Sequence, residues 1–263
     1  YKSINWFENQ TVDKGWNYSF RKFFPETKIF GYQGFTHYMQ LMNTIPAEHE
    51  EKAEVIAKEV YTIGRAYVKM KKEFFPKLKV NVAPALNYKN IFNNYKKTFT
   101  NKLLVILSGI RELDCKVLDW TYYFLDQNKN AKVIIKAHPI MPFEKLSKNK
   151  KTYEKQIRIY NGNLDNILKK THSVICSGPT SATLESLAFN CYLIVPVLEP
   201  CDKENIKNLN IKKNLYSFVY NKFDLNKIMQ KILKQNKKIC TNNSKIKNFL
   251  FKKINNKNVS VFF

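Results

Sequence analysis

The sequence predicts an α/β fold built from two doubly wound parallel sheets. Three observations predict it. Short, continuous apolar runs alternate with stretches of helical periodicity between residues 100 and 200, and the connections between them are short. The first 90 residues repeat this theme less cleanly. Parallel strands read as unbroken apolar runs because helices cover both of their faces.

The alternation begins with residues 102–107 (KLLVIL), a strand ending at the turn signal Ser108-Gly109. Residues 113–125 carry apolar side chains at helical spacing. Residues 131–135 (AKVII) form the next strand and run into Lys136-Ala137-His138-Pro139. A short strand at 157–160, a helix at 164–170 and a strand at 173–176 (SVIC) follow. The last of these enters Ser177-Gly178-Pro179-Thr180-Ser181, a helix at 182–190 and a strand at 192–197 (YLIVPV). In such sheets ligands bind beyond the carboxyl ends of the strands. The turns at 108–109, 136–139 and 177–181 all belong to that edge.

In the first part, residues 11–24 predict a helix stopped by Pro25, and residues 28–32 and 59–63 predict strands. Residues 65–75 predict a helix stopped by Pro76, and 80–82 one more strand. The polar, aperiodic stretch 93–100 marks a boundary. The expected domains are therefore 1–95, the end of a first and incomplete sheet domain, and 96–263, a second. The abrupt start at Tyr1, with no Met, is read as a fragmentary beginning. After residue 200 only 225–233 predicts a helix. Residues 237–247 read as a solvated face or loop, and 259–263 as a closing strand.

Composition narrows the class. Hydrophobic residues at 44% and aromatics at 14% exclude a disordered chain, and 7 glycines with 9 prolines leave little room for flexible linkers. The 45 Lys and Arg outnumber the 21 Asp and Glu, for a net charge of +24. Such a balance attracts polyanions and anionic membrane surfaces. Abundant Lys, Asn, Ile, Phe and Tyr attribute most of it to compositional drift. The five cysteines form no CxxC pair and no zinc-ligand spacing, which fits free thiols in a reducing cytosol. No signal peptide is read, and no apolar run approaches the roughly 20 residues of a membrane helix.

Two turns carry the candidate chemistry. At residues 177–181 a small, hydroxyl-rich turn leaves a strand and opens a helix, whose first amides lack intrahelical partners and favour an anion. Ser177, Thr180 and Ser181 add hydroxyl donors, Gly178 lets a phosphate approach the backbone, and Glu185 stands one turn into the helix. The plain alternative is an ordinary N-cap. At residues 136–139, Pro139 biases His138 away from helix, placing it at the sheet edge. There an imidazole can donate to a phosphate or act as a general acid. A structural strand-end histidine is the alternative.

A strand ending in KAHP, followed about 40 residues later by SGPTSATLESLA, resembles the C-terminal domain of two-domain (GT-B) glycosyltransferases with Rossmann-like halves. The pairing is most similar to bacterial sialyltransferases, Kdo transferases and CDP-glycerol glycerophosphotransferases. The phrases FENQ at 7–10, IFGYQG at 29–34 and VAPAL at 82–86 look like surface-carbohydrate biosynthesis proteins. The resemblance implies that Lys136, His138 and Pro139 contact the donor phosphates. It also implies that Ser177, Gly178, Thr180 and Ser181 hold the phosphate at the helix start, and that Glu185 meets the ribose. It implies a nucleotide-sugar donor, with a CMP-sugar favoured, and an acceptor that is a surface glycan (capsule or lipopolysaccharide) or lipid-linked. The turn departs from the adjacent serines of many sialyltransferases.

Such an enzyme needs a base for the acceptor hydroxyl, supplied by the first domain. Glu8 and Asp13 are the candidates, with helix capping as their alternative role. His37, in a loop rich in polar and aromatic residues, is a rival. Glu199 is a weaker donor contact, and His49 and His172 are read as incidental. No Asp-x-Asp pair occurs, so no metal is expected and no cofactor beyond the donor. Walker A, GxGxxG and GxSxG patterns are absent, which disfavours P-loop ATPases, common NAD enzymes and α/β-hydrolases. A non-catalytic nucleotide- or sugar-binding domain and a basic nucleic-acid-binding protein stay open as alternatives. Against the second, the lysines are spread along the chain. The expected setting is cytoplasmic, with peripheral attachment to an anionic membrane face.

Overall fold

The computed structural model describes residues 1–38, 40–146, 152–176, 178–209, 211–234 and 244–255. Ser177, and the expected strand at 259–263, lie outside these residues, as do positions 237–243 of the expected loop. The chain divides into two compact units.

The first unit is a four-stranded, all-parallel sheet in the order β1-β2-β3-β4. Its strands are β1 (Lys2–Trp6), β2 (Lys28–Gln33), β3 (Glu59–Thr62) and β4 (Lys79–Val82). Helices α1 (Thr11–Phe23), α2 (Glu48–Lys52) and α3 (Val68–Lys71) connect them. Phe7, Ile56, Val60, Phe75 and Leu78 form its packed centre. The helix expected over 65–75 is cut down to a 3-10 turn, Arg65–Tyr67, followed by the single turn of α3. Residues 245–255 also belong to this unit, although the sequence reading placed everything after 95 in the second. The Lys252 amide donates to Ile63 O, and the Lys252 ammonium to Val82 O.

The second unit begins at residue 94 and runs to 244. Its strands are β5 (Asn101–Ile106), β6 (Val133–Lys136), β7 (Ile157–Ile159), β8 (Thr171–Cys176), β9 (Tyr192–Pro196) and β10 (Tyr216–Val219). They pair in parallel in the order β10-β9-β8-β5-β6-β7. The helices are α4 (Arg111–Gln127), α5 (Phe143–Leu146), α6 (Leu164–Leu168), α7 (Ser181–Ala188), α8 (Cys201–Lys207) and α9 (Lys222–Lys234). Helix α10 (Ser244–Leu250) follows, and from residue 245 it belongs to the first unit. Strand β8 is buried at every position and β5 over its last four residues, as central strands must be. The core joins Leu103, Val105, Ile135 and Ile175 of the sheet to Val117, Phe124 and Leu125 of α4 and to Leu225 and Met229 of α9. Lys97 fastens the start of this unit: its ammonium donates to the carbonyls of Leu168 and Phe189 at 2.8 and 2.7 Å.

The strand order fixes where a ligand can sit. From β5 the chain winds outward through β6 and β7, then crosses back to β8 on the other flank of β5 and continues to β9 and β10. The winding reverses between β5 and β8, and the crevice at the carboxyl ends there is the switch point of the sheet. Among the described residues, no helix is long and apolar enough to cross a membrane.

Candidate functional site

Three loops meet at this switch point. Strands β6 and β8 both pair with β5, so their carboxyl ends stand two strand spacings apart, about 10 Å. The β5–α4 turn lies between them and touches both. Gly109 adopts φ +86°, and a Cβ there would meet Cγ and Nδ1 of His138 at 2.9 Å. Gly178 adopts φ +65°, and a Cβ there would meet Leu113 Cδ1 at 2.9 Å and Ser108 Oγ at 3.3 Å. Both positions need glycine, for the left-handed backbone and for the close approach. The turn at 136–139 and the turn leading into α7 are thereby joined through Ser108-Gly109.

A buried acid that sequence reasoning missed holds the middle turn. The Asp114 carboxylate is 0% exposed and accepts from Ser108 N (2.7 Å), Ser108 Oγ (3.0 Å) and Gly109 N (2.9 Å). The same device recurs after β9, where Leu198 N and Glu199 N donate to Asp202, and after β10, where Tyr220 N donates to Asp224. Helix α7 differs: its first turn carries no acidic residue. Thr180 is its N-cap, in extended conformation, and Gly178, Pro179, Thr180 and Ser181 are all half-buried. A helix start without its own carboxylate keeps its positive end available to an anion.

His138 is half-buried at the end of the β6 turn. Its carbonyl accepts from Met141 N, and Ile140 N donates to Nδ1 at 3.3 Å. That contact leaves the ring proton on Nε2, which can donate to a phosphate oxygen. Lys136 is placed differently from its expected role. Its ammonium donates to Gly162 O at 2.8 Å and sits 5.7 Å from the Tyr160 ring, on the β7 side of β6, and burial lowers its pKa. Burial raises the Glu185 carboxyl, Asp165 raises it further, and the Ser181 hydroxyl opposes them by hydrogen bonding. Glu199 is exposed at the end of β9. His172 is buried within β8 against Ser173, and His49 is exposed on α2.

In the first unit, Glu8 follows β1. Trp6 Nε1 and Gln10 Nε2 donate to its two oxygens at 2.9 and 2.8 Å. Asp13 accepts from Glu8 N and Gln10 N at 2.9 and 3.1 Å. This is the strand–helix device of Asp114, Asp202 and Asp224 once more, so Asp13 caps α1 and positions Glu8. His37 is buried, and its Nδ1 lies 2.8 Å from Thr44 Oγ1. Burial, with the Lys71 charge nearby, pushes its pKa down to about 3.

An open cavity of about 1050 Å³ lies at the opposite, amino-terminal edge of the second sheet, lined in part by Lys102, Lys129, Lys132, Lys155 and Arg158. It takes in Gln127 at the C-terminal end of α4, whose carbonyl dipoles disfavour an anion.

No family model matches the sequence, and no curated protein matches it in sequence. Solved structures do share its fold. One chain of the GtfA/B complex has a TM-score of 0.56 at 10% identity over 86% of this chain. MnaA of S. aureus, solved with UDP, has 0.52 at 12% identity over 87%. MurG of Acinetobacter baumannii has 0.50 at 9% identity over 95%. The chain spans 50%, 64% and 67% of those three chains, respectively. At such identities the likeness is one of architecture, and that architecture is GT-B: two Rossmann-like α/β units, each on a parallel sheet.

Proposed function

We propose that the chain acts as a metal-independent glycosyltransferase, with the nucleotide-sugar donor on its second unit and the acceptor on its first. The observation that carries this reading is the β5/β8 switch point, where a helix start free of acidic residues and the His138 ring converge on one glycine turn. The GT-B architecture supports sugar transfer as the reaction class.

In this reading the diphosphate or monophosphate of the donor lies on the first amides of α7, beside Gly178, Thr180 and Ser181, with the Ser177 hydroxyl as a further proposed donor. His138 donates from Nε2 to the leaving phosphate oxygen as the anomeric C–O bond breaks. The acceptor oxygen bonds to the anomeric carbon and gives up its proton, and Glu8 of the first unit, which Asp13 holds in place, is the proposed base. Lys136 contributes positive charge beside the site through its fixed ammonium, and Glu185 orients toward the ribose. A CMP-sugar is the donor we favour, from the likeness of the two turns to sialyltransferases and Kdo transferases. The acceptor is a surface glycan or a lipid-linked glycan. The net charge of +24 supports attachment to an anionic membrane face, on the cytoplasmic side.

The test is a thermal-shift panel of CMP, CDP, UDP, GDP and their sugar conjugates, followed by transfer assays. A CMP-sugar should bind and be consumed. Because MnaA was solved with UDP, UDP-sugars are the first competitors. Binding without turnover would instead favour a non-catalytic nucleotide-binding domain, and no nucleotide binding at all would sink both.

A further inference from the structure

The carboxyl edge of the first sheet carries polar atoms with no partner. Gln33, the last residue of β2, is 0% exposed, and neither its Oε1 nor its Nε2 has a hydrogen-bond partner. His37, four residues on and 3% exposed, has an unpartnered Nε2. Asn9, in the loop after the neighbouring β1, is 5% exposed with φ +58° and an unpartnered Oδ1. Buried polar groups without partners are rare and costly, so three on adjacent loops call for an occupant.

The state of each atom follows from its neighbours. Thr44 Oγ1 donates its single proton to Leu41 O at 2.8 Å, so toward His37 it can only accept. His37 therefore carries its proton on Nδ1, and the buried Nε2 is a bare lone pair. The Asn9 amide nitrogen donates to Asn43 O at 3.0 Å and to Glu50 Oε2 at 3.2 Å, which fixes Asn9 Oδ1 as the free acceptor. The open valences are then three acceptors (Gln33 Oε1, His37 Nε2, Asn9 Oδ1) and the Gln33 amide donor. Acceptors in that majority repel an anion. They fit a ligand that brings several O–H donors and can accept in return, which is the chemistry of an uncharged polyol.

The residues that carry these atoms are linked through common neighbours. A Cβ on Gly31 would meet the Phe7 ring at 2.7 Å, so Gly31 packs under that ring, and Gln33 points to the same face two residues further along β2. The Lys71 ammonium lies 5.2 Å from the Phe7 ring centroid and donates to Thr44 O, the residue that also fixes His37. Lys71 is itself 0% exposed, so one fully buried lysine holds the loop that carries these groups.

We infer that the ends of β1 and β2 form a binding site for the hydroxyls of an uncharged sugar, with Gln33 and His37 Nε2 as its principal partners. This deepens the transferase reading, on which it rests only for naming that sugar as the acceptor. Binding itself needs no donor. His37 and Gln33 act here as positioning groups. A neutral imidazole held by Thr44 orients a hydroxyl through its lone pair.

The test uses the full chain and free pyranoses (glucose, galactose and N-acetylglucosamine), with UDP and CMP as separate probes of the second unit. Thermal unfolding and titration calorimetry should show at least one pyranose binding the wild-type protein. Gln33→Leu removes both unmatched amide atoms, so it should melt at or above the wild-type temperature while sugar affinity falls about tenfold or more. His37→Asn, which retains a donor for Thr44 and withdraws the second ring nitrogen, should lose affinity similarly. The inference is overturned if none of the pyranoses binds, or if both variants bind sugar as the wild type does. A Gln33→Leu protein that is clearly destabilised while His37→Asn binds normally would assign these atoms to an enclosed water, and would overturn it too. Nucleotide shifts unchanged in both variants show that the second unit is intact. Sugar binding without any nucleotide binding would instead refute the donor reading alone.

Discussion

Gly109 packs against the ring of His138: with φ +86° it leaves no room for a Cβ, which would come within 2.9 Å of Cγ and Nδ1. The contact links the end of β5 to the end of β6 and sets how far the imidazole can turn toward the switch point. Gly109→Ala therefore forces a left-handed alanine, at about 1–2 kcal/mol, and displaces the ring as well. The expected outcome is a lowered unfolding midpoint in urea together with weaker nucleotide binding. Unchanged binding would show that the ring position does not matter to the ligand.

His138 itself should separate function from folding. Its ring is half-buried, and the hydrogen bond from Ile140 N is long, 3.3 Å. His138→Ala should cost about 0.5 kcal/mol or less in stability. Loss of a proton donor or electrostatic contact to the leaving group should lower turnover about 10²-fold or more. Steady-state transfer rates beside a denaturant melt make the comparison. Full turnover in the variant would make the histidine structural.

Much of the second unit was legible because its central strands are buried on both faces. The runs 102–107 and 173–176 read as strands for that reason, and the observed β5 and β8 lie over them. Strand β10 left no such signal. It pairs with β9 alone, and only its last residue is buried, so no continuous apolar run marks it. The helix expected over 65–75 shrinks to a 3-10 turn and the single turn of α3, and Phe74 instead pairs in a β-bridge with Ala47, a tertiary contact that periodicity does not report. In the site, the glycines and the hydroxyl-rich turn could be read directly. The direction of Lys136, toward Gly162, could not, since it depends on β7 lying beside β6. Asp114 leaves a local signal, an acid in the first helical turn six residues after Ser108.

Two buried bases should make the protein weaker in acid. Burial, and then the nearby Lys71 charge, lower the His37 pKa from 6.5 to about 3, and burial lowers the Lys71 pKa from 10.5 to about 7. For a base whose folded pKa lies below its unfolded one, the unfolded chain binds more protons between the two values. Stability then rises with pH across that window. The His37 contribution climbs between about pH 3 and 6.5, and the Lys71 contribution between about pH 7 and 10.5. Each unit of displacement is worth about 1.4 kcal/mol. Urea melts at pH 5, 7 and 9, followed by the fluorescence of Trp6 and Trp16 in the first unit, should show rising midpoints. Lys71→Met should flatten the alkaline half of the curve, and an unchanged slope in that variant would assign the pH dependence to other groups.

Turnover should survive removal of divalent ions. The sequence holds no Asp-x-Asp pair, and among the described residues no three His, Cys, Asp or Glu side chains gather as a ligand set. The acids nearest the switch point have other commitments. Both Asp114 oxygens accept from the amides of the β5–α4 turn, and burial raises the pKa of the Glu185 carboxyl. In the proposed function the donor phosphates meet the amide-bearing start of α7 and the His138 Nε2 proton, groups that can stabilise negative charge directly. The basic surface adds long-range attraction for the anionic donor, screened beyond about 8 Å at physiological salt. Raising salt should therefore slow donor capture more than it lowers the rate at saturation. The decisive comparison is the transfer rate before and after exhaustive EDTA treatment, with magnesium and manganese added back. Equal rates are expected. A rate that collapses with EDTA and returns with either ion would refute the metal-free mechanism and turn attention to Glu185 and Glu199 as ligands.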